Sequence, residues 1–267
     1  MRAAVLILIF ALLVLFGCIG SGNIGGIGSN GGGGMVGSIP FGNVNITMLG
    51  HSSVLLESGG KLVYIDPYVL PADAKKADLV LITHDHYDHC APANIEKIRT
   101  TNTKIITTSA CASKLGGGAN VVVVREGDSK DVGFAKVEAV PAYNINKQFH
   151  PRGVGVGFVV EFGGAICPSD KCAFAQSANR ARIYHAGDTD FIPEMKNIRA
   201  DVALLPIGGT YTMNASEAAS AALALDPKLA IPMHYGKISG TGGASDAQKF
   251  KSEVEAKSGR KIEVRVV

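Results

Sequence analysis

From residue 44 onward, short apolar runs rich in Val, Ile and Leu recur at 44–49, 54–57, 61–66, 79–83, 104–108, 121–124, 135–141, 153–162, 182–185, 202–206, 229–233 and 262–267. Their lengths, and the Gly, Asp and Pro that bound them, predict strands rather than helices. Helical spacing of apolar residues lies between them at 92–100, 109–115, 191–198, 214–225 and 245–258. Asn214 and Ser245 stand where N-caps belong, since their side chains can accept from the unpaired N–H groups of a first helical turn. Strands dominate at first, and strands and helices then alternate in each half. This predicts an α/β domain of sheets packed together and covered by helices. Periodicity leaves a four-layer sandwich and a doubly wound sheet equally open.

The first fifth follows another pattern. Residues 3–56 contain no Asp, Glu, Lys or Arg, so every charged residue except Arg2 lies in 57–267. Arg2 precedes an apolar run ending at Phe16, followed by Gly17 and Cys18. That run is shorter than the roughly 20 residues of a membrane-spanning helix and reads as an export signal. Leu15-Phe16-Gly17-Cys18 resembles a prokaryotic lipoprotein processing box with Cys18 as the lipid-bearing residue. An uncleaved membrane anchor, or cytoplasmic residence, is the alternative. Residues 19–38 hold 10 Gly with Ser and Asn, too little apolar surface to offset ordering, so the stretch reads as a flexible tether. The expected organisation is an anchor over 1–18, a tether over 19–42 and one domain over 43–267, held outside the cytoplasm at a membrane surface.

A formal net charge of +3, with its Lys and Arg dispersed, does not make a nucleic-acid-binding field, and no nucleic-acid partner is expected. With Cys18 set aside, Cys90, Cys111, Cys167 and Cys172 permit three pairings. Cys167 and Cys172, on a polar loop, either close a disulfide in an oxidising compartment or remain two free thiols.

The chemistry concentrates in one segment. Three of the chain's 7 His lie at His84, His86 and His89, interleaved with Asp85 and Asp88, at the end of a predicted buried strand. Neutral imidazoles and carboxylates are the ligands of zinc and related divalent ions, and strand-end loops are where α/β sheets place their sites. Two later strands end in Tyr184-His185-Ala186-Gly187-Asp188-Thr189 and Met233-His234-Tyr235, which supply a further carboxylate and imidazole.

The H-x-H-x-D-H of 84–89, a strand ending in Gly187-Asp188-Thr189 and another ending in Met233-His234-Tyr235 together resemble the metallo-β-lactamase-fold hydrolases. Gly50-His51-Ser52, Ile65-Asp66-Pro67 and residues 207–213 narrow the resemblance to the branch of the L-ascorbate-6-phosphate lactonase-like proteins. The resemblance implies a four-layer αββα sandwich and a site for two divalent ions, zinc first, with Mn or Fe as alternatives. It places His84 and His86 on the first ion, Asp88 and His89 on the second, Asp188 between the two, and His234 as the last ligand of the second.

One position departs from the pattern. Many relatives carry a His after a Pro-Ala-aromatic triplet, where this chain has Pro141-Ala142-Tyr143-Asn144. Either His150 reaches the first ion from a longer loop, or Asn144 or water fills the place and His150 belongs to a substrate loop. His51 is expected to line the pocket or stand beside the ligands, with a plain turn role as the alternative. His185 is expected to pack beside the ligands rather than bind. Asp66 either orients a ligand imidazole or is an ordinary turn residue.

Two divalent ions can generate a hydroxide nucleophile from water near neutral pH and polarise the bond under attack. The expected activity is hydrolysis of an ester, lactone or phosphodiester in a small-molecule or lipid-like substrate. Asp85 is a candidate proton shuttle or loop-shaping residue. Tyr211 and Tyr235 are candidate donors to a developing oxyanion, with packing as the alternative role. A phosphodiesterase or nuclease of the same fold, and a non-catalytic metal- or ligand-binding lipoprotein, are the competing readings; Asn144 keeps the latter open. Residues 163–181 read as an insertion between two strands.

Overall fold

A computed structural model describes residues 37–163 and 180–267. The expected anchor, Cys18, most of the tether, and Cys167 and Cys172 in the expected insertion lie outside the described residues. Two seven-stranded mixed sheets account for the domain. The first runs in chain order: β1 (Ser38–Phe41), β2 (Val44–Gly50), β3 (Ser53–Ser58), β4 (Lys61–Ile65), β5 (Leu79–Ile82), β6 (Lys104–Thr107) and β7 (Val121–Val123). β1 to β4 pair antiparallel and β4 to β7 parallel. The parallel part needs crossovers, and α1 (Pro92–Ile98) and α2 (Ser109–Lys114) provide two of them.

The second sheet repeats the plan with β8 (Ser129–Asp131), β9 (Ala135–Ala142), β10 (Gly155–Phe162), β11 (Ala181–His185), β12 (Val202–Pro206), β13 (Leu229–Met233) and β14 (Glu263–Val264). β8 to β11 are antiparallel and β11 to β14 parallel. Here α3 (Ala215–Leu225) and α4 (Ala244–Lys257) form two of the three crossovers.

Burial on both faces explains why the parallel strands read as unbroken apolar runs. Along β4 and β5, Val63, Ile65, Leu79 and Leu81 enter the large core that spans both sheets, while Tyr64, Val80 and Ile82 face a second core with Ile95 and Ile98 of α1 and Cys111 of α2. Opposite it, the small side chains Ala218, Ala219, Ala221 and Ala222 of α3 are fully buried, which lets the helix lie close to the second sheet. The result is the expected α/β layered sandwich.

Four local expectations change. Residues 38–41, expected in the tether, form β1 and pair in register with 44–47, so the tether boundary at 42 is too late. Ser245 is inside α4, whose N-cap is Gly243; the Asp246 carboxylate accepts from the Gly243 N–H at 2.9 Å. Asn214 does cap α3, accepting from Ser216 and Glu217 N–H while Glu217 reaches back to the Asn214 N–H. The helix expected at 191–198 is a short 3₁₀ turn, Pro193–Asn197.

Of the three pairings open to the four cysteines, the structure forms Cys90–Cys111, which ties the residue after His89 to α2 across 21 positions. Closing a loop of that size in the unfolded chain is worth about 3 kcal/mol. Urea unfolding with dithiothreitol present is expected to give a free energy lower by about that amount than unfolding without it.

Candidate metal centre

The site forms where the C-terminal ends of strands from both sheets meet. β2 runs into His51, β4 into Asp66, β5 into Thr83 and His84, β9 into Asn144, β11 into Gly187 and Asp188, and β13 into His234. Among the described residues, three of the five non-glycine positions with positive φ are here: His51 at 53°, Asp66 at 47° and His234 at 59°. Such a conformation costs roughly 1–3 kcal/mol and persists where surrounding contacts dictate it. Gly208 allows the close approach of β13: a Cβ there would lie 2.8 Å from His234 Nδ1 and from the His234 carbonyl oxygen.

Asp66 organises the first layer of hydrogen bonds. It is fully buried and accepts from the Thr83 N–H at 2.8 Å, the Thr83 hydroxyl at 2.7 Å and His89 Nδ1 at 2.8 Å. Because the Thr83 hydroxyl spends its proton on Asp66, it accepts from His84 Nδ1 at 3.0 Å. His84 and His89 therefore each carry a proton on Nδ1 and turn their Nε2 atoms inward, the role expected of Asp66 as an orienting carboxylate.

Those inward atoms converge. His84, His86 and His150 form one group able to hold a metal ion, Asp88, His89, His234 and His51 form another, and Asp188 joins His84 and His89 in a third. Asp188 lies between them, with Oδ2 3.0 Å from His234 Nε2, 3.3 Å from His150 Nε2 and 4.0 Å from His84 Nε2, and Oδ1 3.4 Å from His89 Nε2. Burial works against its charge, yet His234 and His89 hold its carboxyl well below the usual range. Burial likewise opposes Asp88, and the hydrogen bond from His51 together with the charge on His89 outweighs it and lowers its carboxyl.

The departure at Asn144 resolves into a division of labour. Asn144 Oδ1 accepts from the His150 N–H at 3.0 Å and from His150 Nδ1 at 3.1 Å, and the Tyr211 carbonyl lies 3.2 Å from the same Nδ1. With two acceptors on Nδ1, His150 presents a bare Nε2, which sits 3.2 Å from His86 Nδ1. His150 is thus brought into the group with His84 and His86, and Asn144 supports it from behind. Asp190, which sequence reasoning passed over, anchors this loop through Asn144 Nδ2 at 3.1 Å, the Ile145 N–H at 2.9 Å and Lys147 Nζ at 2.5 Å. Its only signal was a second acid two residues after Asp188.

Other candidates fall on either side of the cluster. His51 Nε2 is 3.0 Å from Asp88 Oδ2, which puts the residue in the cluster rather than in a plain turn. His185 is held by the Ser52 carbonyl at 2.9 Å and the Gly187 N–H at 3.2 Å, so both nitrogens are occupied away from the cluster. Asp85 pairs with Lys114 at 2.8 Å and is not in the cleft lining, so the proton-shuttle expectation loses its geometry. Tyr235 donates to the Val267 carbonyl at 2.9 Å, a packing role rather than an oxyanion donor. Tyr211 does line the cleft.

The residues fit a metal. His84 Nε2, His89 Nε2 and Asp188 Oδ1 are buried without a hydrogen-bond partner, as are His51 Nδ1, Ser52 Oγ and His234 Nδ1 beside them. An ion is the partner that satisfies bare imidazole nitrogens and a carboxylate together.

The same burial sets a pH dependence for the metal-free protein. Burial is the main force holding His51, His84, His150 and His185 below the ordinary imidazole value. Burial also opposes protonation of His89, but Asp188 and Asp66 override it and raise that residue well above the usual value. Below about pH 6.5 the four lowered imidazoles take up protons on unfolding that they refuse when folded, each worth up to about 1.4 kcal/mol per pH unit, while His89 is protonated in both states. His89 stabilises below that pH and loses its contribution only as pH rises through its folded value. The melting temperature of chelator-treated protein is therefore expected to fall from pH 6.5 to pH 5; a rise over that interval would contradict the assigned imidazole states.

Above the cluster opens a cleft of about 280 Å³ whose floor includes His86, Asp88, His150, Asp188 and His234. Residues 45–234 match the Beta-lactamase superfamily domain. The chain is 33% identical over 225 residues to a UPF0173 metal-dependent hydrolase of Methanopyrus kandleri, covering 79% of this chain and 92% of that protein. It is 35% identical over 227 residues to another from Koribacter versatilis, covering 78% and 91%. The solved structure of a metallo hydrolase from the archaeon Ignicoccus hospitalis superposes with a TM-score of 0.65 at 28% identity, over 84% of this chain and 94% of that one. With these matches spanning most of the domain and the His and Asp cluster at its sheet ends, the chain belongs to the metallo-β-lactamase superfamily as a metal-dependent hydrolase of the UPF0173 family.

Proposed function

We propose that the chain uses two divalent ions, zinc foremost, to hydrolyse an ester, lactone or phosphodiester. The observation that carries this reading is Asp188, a buried carboxylate with imidazoles from both ligand groups within 4.0 Å of its oxygens. His84, His86 and His150 would hold one ion, Asp88, His89 and His234 the other, and Asp188 would serve both. A bound pair of this kind supplies a water-derived nucleophile at neutral pH and polarises the oxygen of the bond being cleaved.

The protein's own part is to fix protons and charge. Asp66, Thr83 and Asn144 keep the Nδ1 protons of His89, His84 and His150 pointing outward, so the inward nitrogens stay available. His51 donates from Nε2 to the ionised Asp88 and sets its orientation. Tyr211, at the cleft wall, is placed to donate to an oxygen gaining charge. No Ser or Cys nucleophile enters the scheme. The test is turnover of ester, lactone and phosphodiester panels by the zinc-loaded chain: activity on one class that disappears with chelator and returns with zinc is expected, and activity indifferent to chelator would defeat the reading.

Export with a membrane-proximal anchor remains part of this proposal. It is supported by residues 3–56, which hold no Asp, Glu, Lys or Arg, and by the Cys90–Cys111 disulfide, a bond that persists in oxidising compartments. Protease digestion of intact cells is expected to remove the domain from their surface; protection until lysis would place it inside.

A further inference from the structure

The mouth of the cleft is apolar and carries no cation. Six large apolar side chains among the described residues are exposed, and four of them lie on the two loops that also deliver metal-cluster residues. Tyr87, 66% exposed, stands between His86 and Asp88; Ile145, Phe149 and Val154 lie on the loop that carries His150. Tyr87, Phe149, Tyr211, Ile238 and Thr241 form the wall around the ligand floor. The Phe149 and Tyr211 rings meet edge to face at 4.7 Å, and Tyr87 meets Tyr68 in the same way at 6.0 Å. Exposed apolar side chains gathered at one concave place mark a binding surface.

The nearby cations are turned elsewhere. Lys147 is bound to Asp190 at 2.5 Å and to the Thr212 carbonyl at 2.8 Å, Lys114 to Asp85 at 2.8 Å, and Arg152 to Glu194 at 2.9 Å and Glu126 at 3.2 Å. Lys237 lines a separate groove with Tyr68 and Asn94. Recognition of a phosphate or sulfate on the substrate calls for charged donors such as Arg or Lys, and no Lys or Arg is among the residues lining the cleft.

We infer that the substrate is a neutral carboxylic ester or lactone bearing an apolar aliphatic or aromatic group, which lies against Tyr87, Phe149, Tyr211 and Ile238 while its carbonyl faces the metal floor. This rests on the hydrolytic reading above. The water oxygen forms the new bond to the acyl carbon, the acyl–oxygen bond breaks, one of the water's protons ends on the departing oxygen, and the other leaves to solvent as the product carboxylic acid ionises. A phosphorylated sugar lactone would face the same floor, but its phosphate would find no Lys or Arg among the residues lining the cleft.

Two measurements on the zinc-loaded chain separate this inference from the reaction class. In the first, kcat/KM for γ-octalactone is expected to exceed that for γ-butyrolactone at least thirtyfold, and a γ-lactone carrying a phosphate monoester is expected to fall below both. In the second, which needs no turnover, calorimetry is expected to show octanohydroxamate binding at least tenfold more tightly than acetohydroxamate. Phe149→Ala, and independently Ile238→Ala, are each expected to reduce that ratio to less than threefold. A phosphorylated lactone that matches or outruns octalactone, or hydroxamates that bind without regard to chain length, would overturn the apolar wall as the specificity element. Hydroxamate selectivity without hydrolysis of any lactone or ester would instead defeat the hydrolytic reading and leave the apolar wall standing.

Discussion

Asp188→Asn is expected to remove hydrolysis almost completely, by about 10³-fold or more in kcat/KM, which corresponds to about 4 kcal/mol of transition-state stabilisation. The size follows from where the carboxylate lies. Its two oxygens approach His234, His150, His84 and His89, so one substitution takes a negative charge from both ligand groups at once. The amide that replaces it keeps the volume but offers an N–H₂ to imidazole nitrogens that are themselves meant to bind cations. Metal analysis is expected to show both sites depleted, while circular dichroism shows the fold retained, because the strands that position residue 188 are built from the core and not from the cluster. Retained metal with retained turnover would sink the two-ion account.

Asp66→Ala carries the second large effect, and it acts through the protein rather than through substrate. Removing the carboxylate leaves the Thr83 N–H, the Thr83 hydroxyl and His89 Nδ1 buried without their acceptor. Stranding groups of this kind costs about 3–5 kcal/mol when an ionic partner is lost. The loss also frees His84 and His89 to exchange the proton positions that keep their Nε2 atoms bare, so metal affinity is expected to fall about 10–100-fold. Urea unfolding of the metal-free variant measures the first effect and zinc titration the second. Asp66→Asn, which keeps acceptor capacity for Thr83, is expected to recover most of the stability but little of the metal affinity. Equal recovery of both would mean that Asp66 acts only as a structural brace.

The strands of both sheets were legible because burial on two faces demands unbroken apolar runs, and such runs are hard to mistake at 79–82 or 202–206. β1 was hidden because Ser38-Ile-Pro-Phe41 is four residues long, contains a Pro and directly follows a Gly-rich, uncharged stretch. β8, Ser129-Lys-Asp131, is a polar strand at a sheet edge, where hydrogen bonding and not burial makes the strand. The helix expected at 191–198 shrank to one 3₁₀ turn with Pro193 at its start.

Legibility of the site had a similar boundary. The dense spacing of 84–89 announces ligands, since few other tasks need so many imidazoles together, and the structure brings His84, His86, Asp88 and His89 to one place. The loop from 143 to 154 could not be traced by spacing, so the sequence left open whether Asn144 or His150 faced the cluster. The hydrogen bonds from His150 to Asn144 and Tyr211 decide it. Tyr235 and Asp85 were misplaced for one reason: nearness to a ligand in sequence says nothing about side-chain direction, and consecutive residues leaving a strand point apart. Asp190 and the apolar wall around Phe149 and Tyr87 were missed because their roles exist only once separate loops meet.

The central claim is that one buried carboxylate and imidazoles from strand ends of both sheets hold two divalent ions. Its most direct test is a calorimetric titration of the chelator-treated full chain with zinc at pH 7. Saturation at two equivalents is expected, with Asp188→Asn binding fewer than one. Saturation at a single equivalent, or no binding at all, would contradict it.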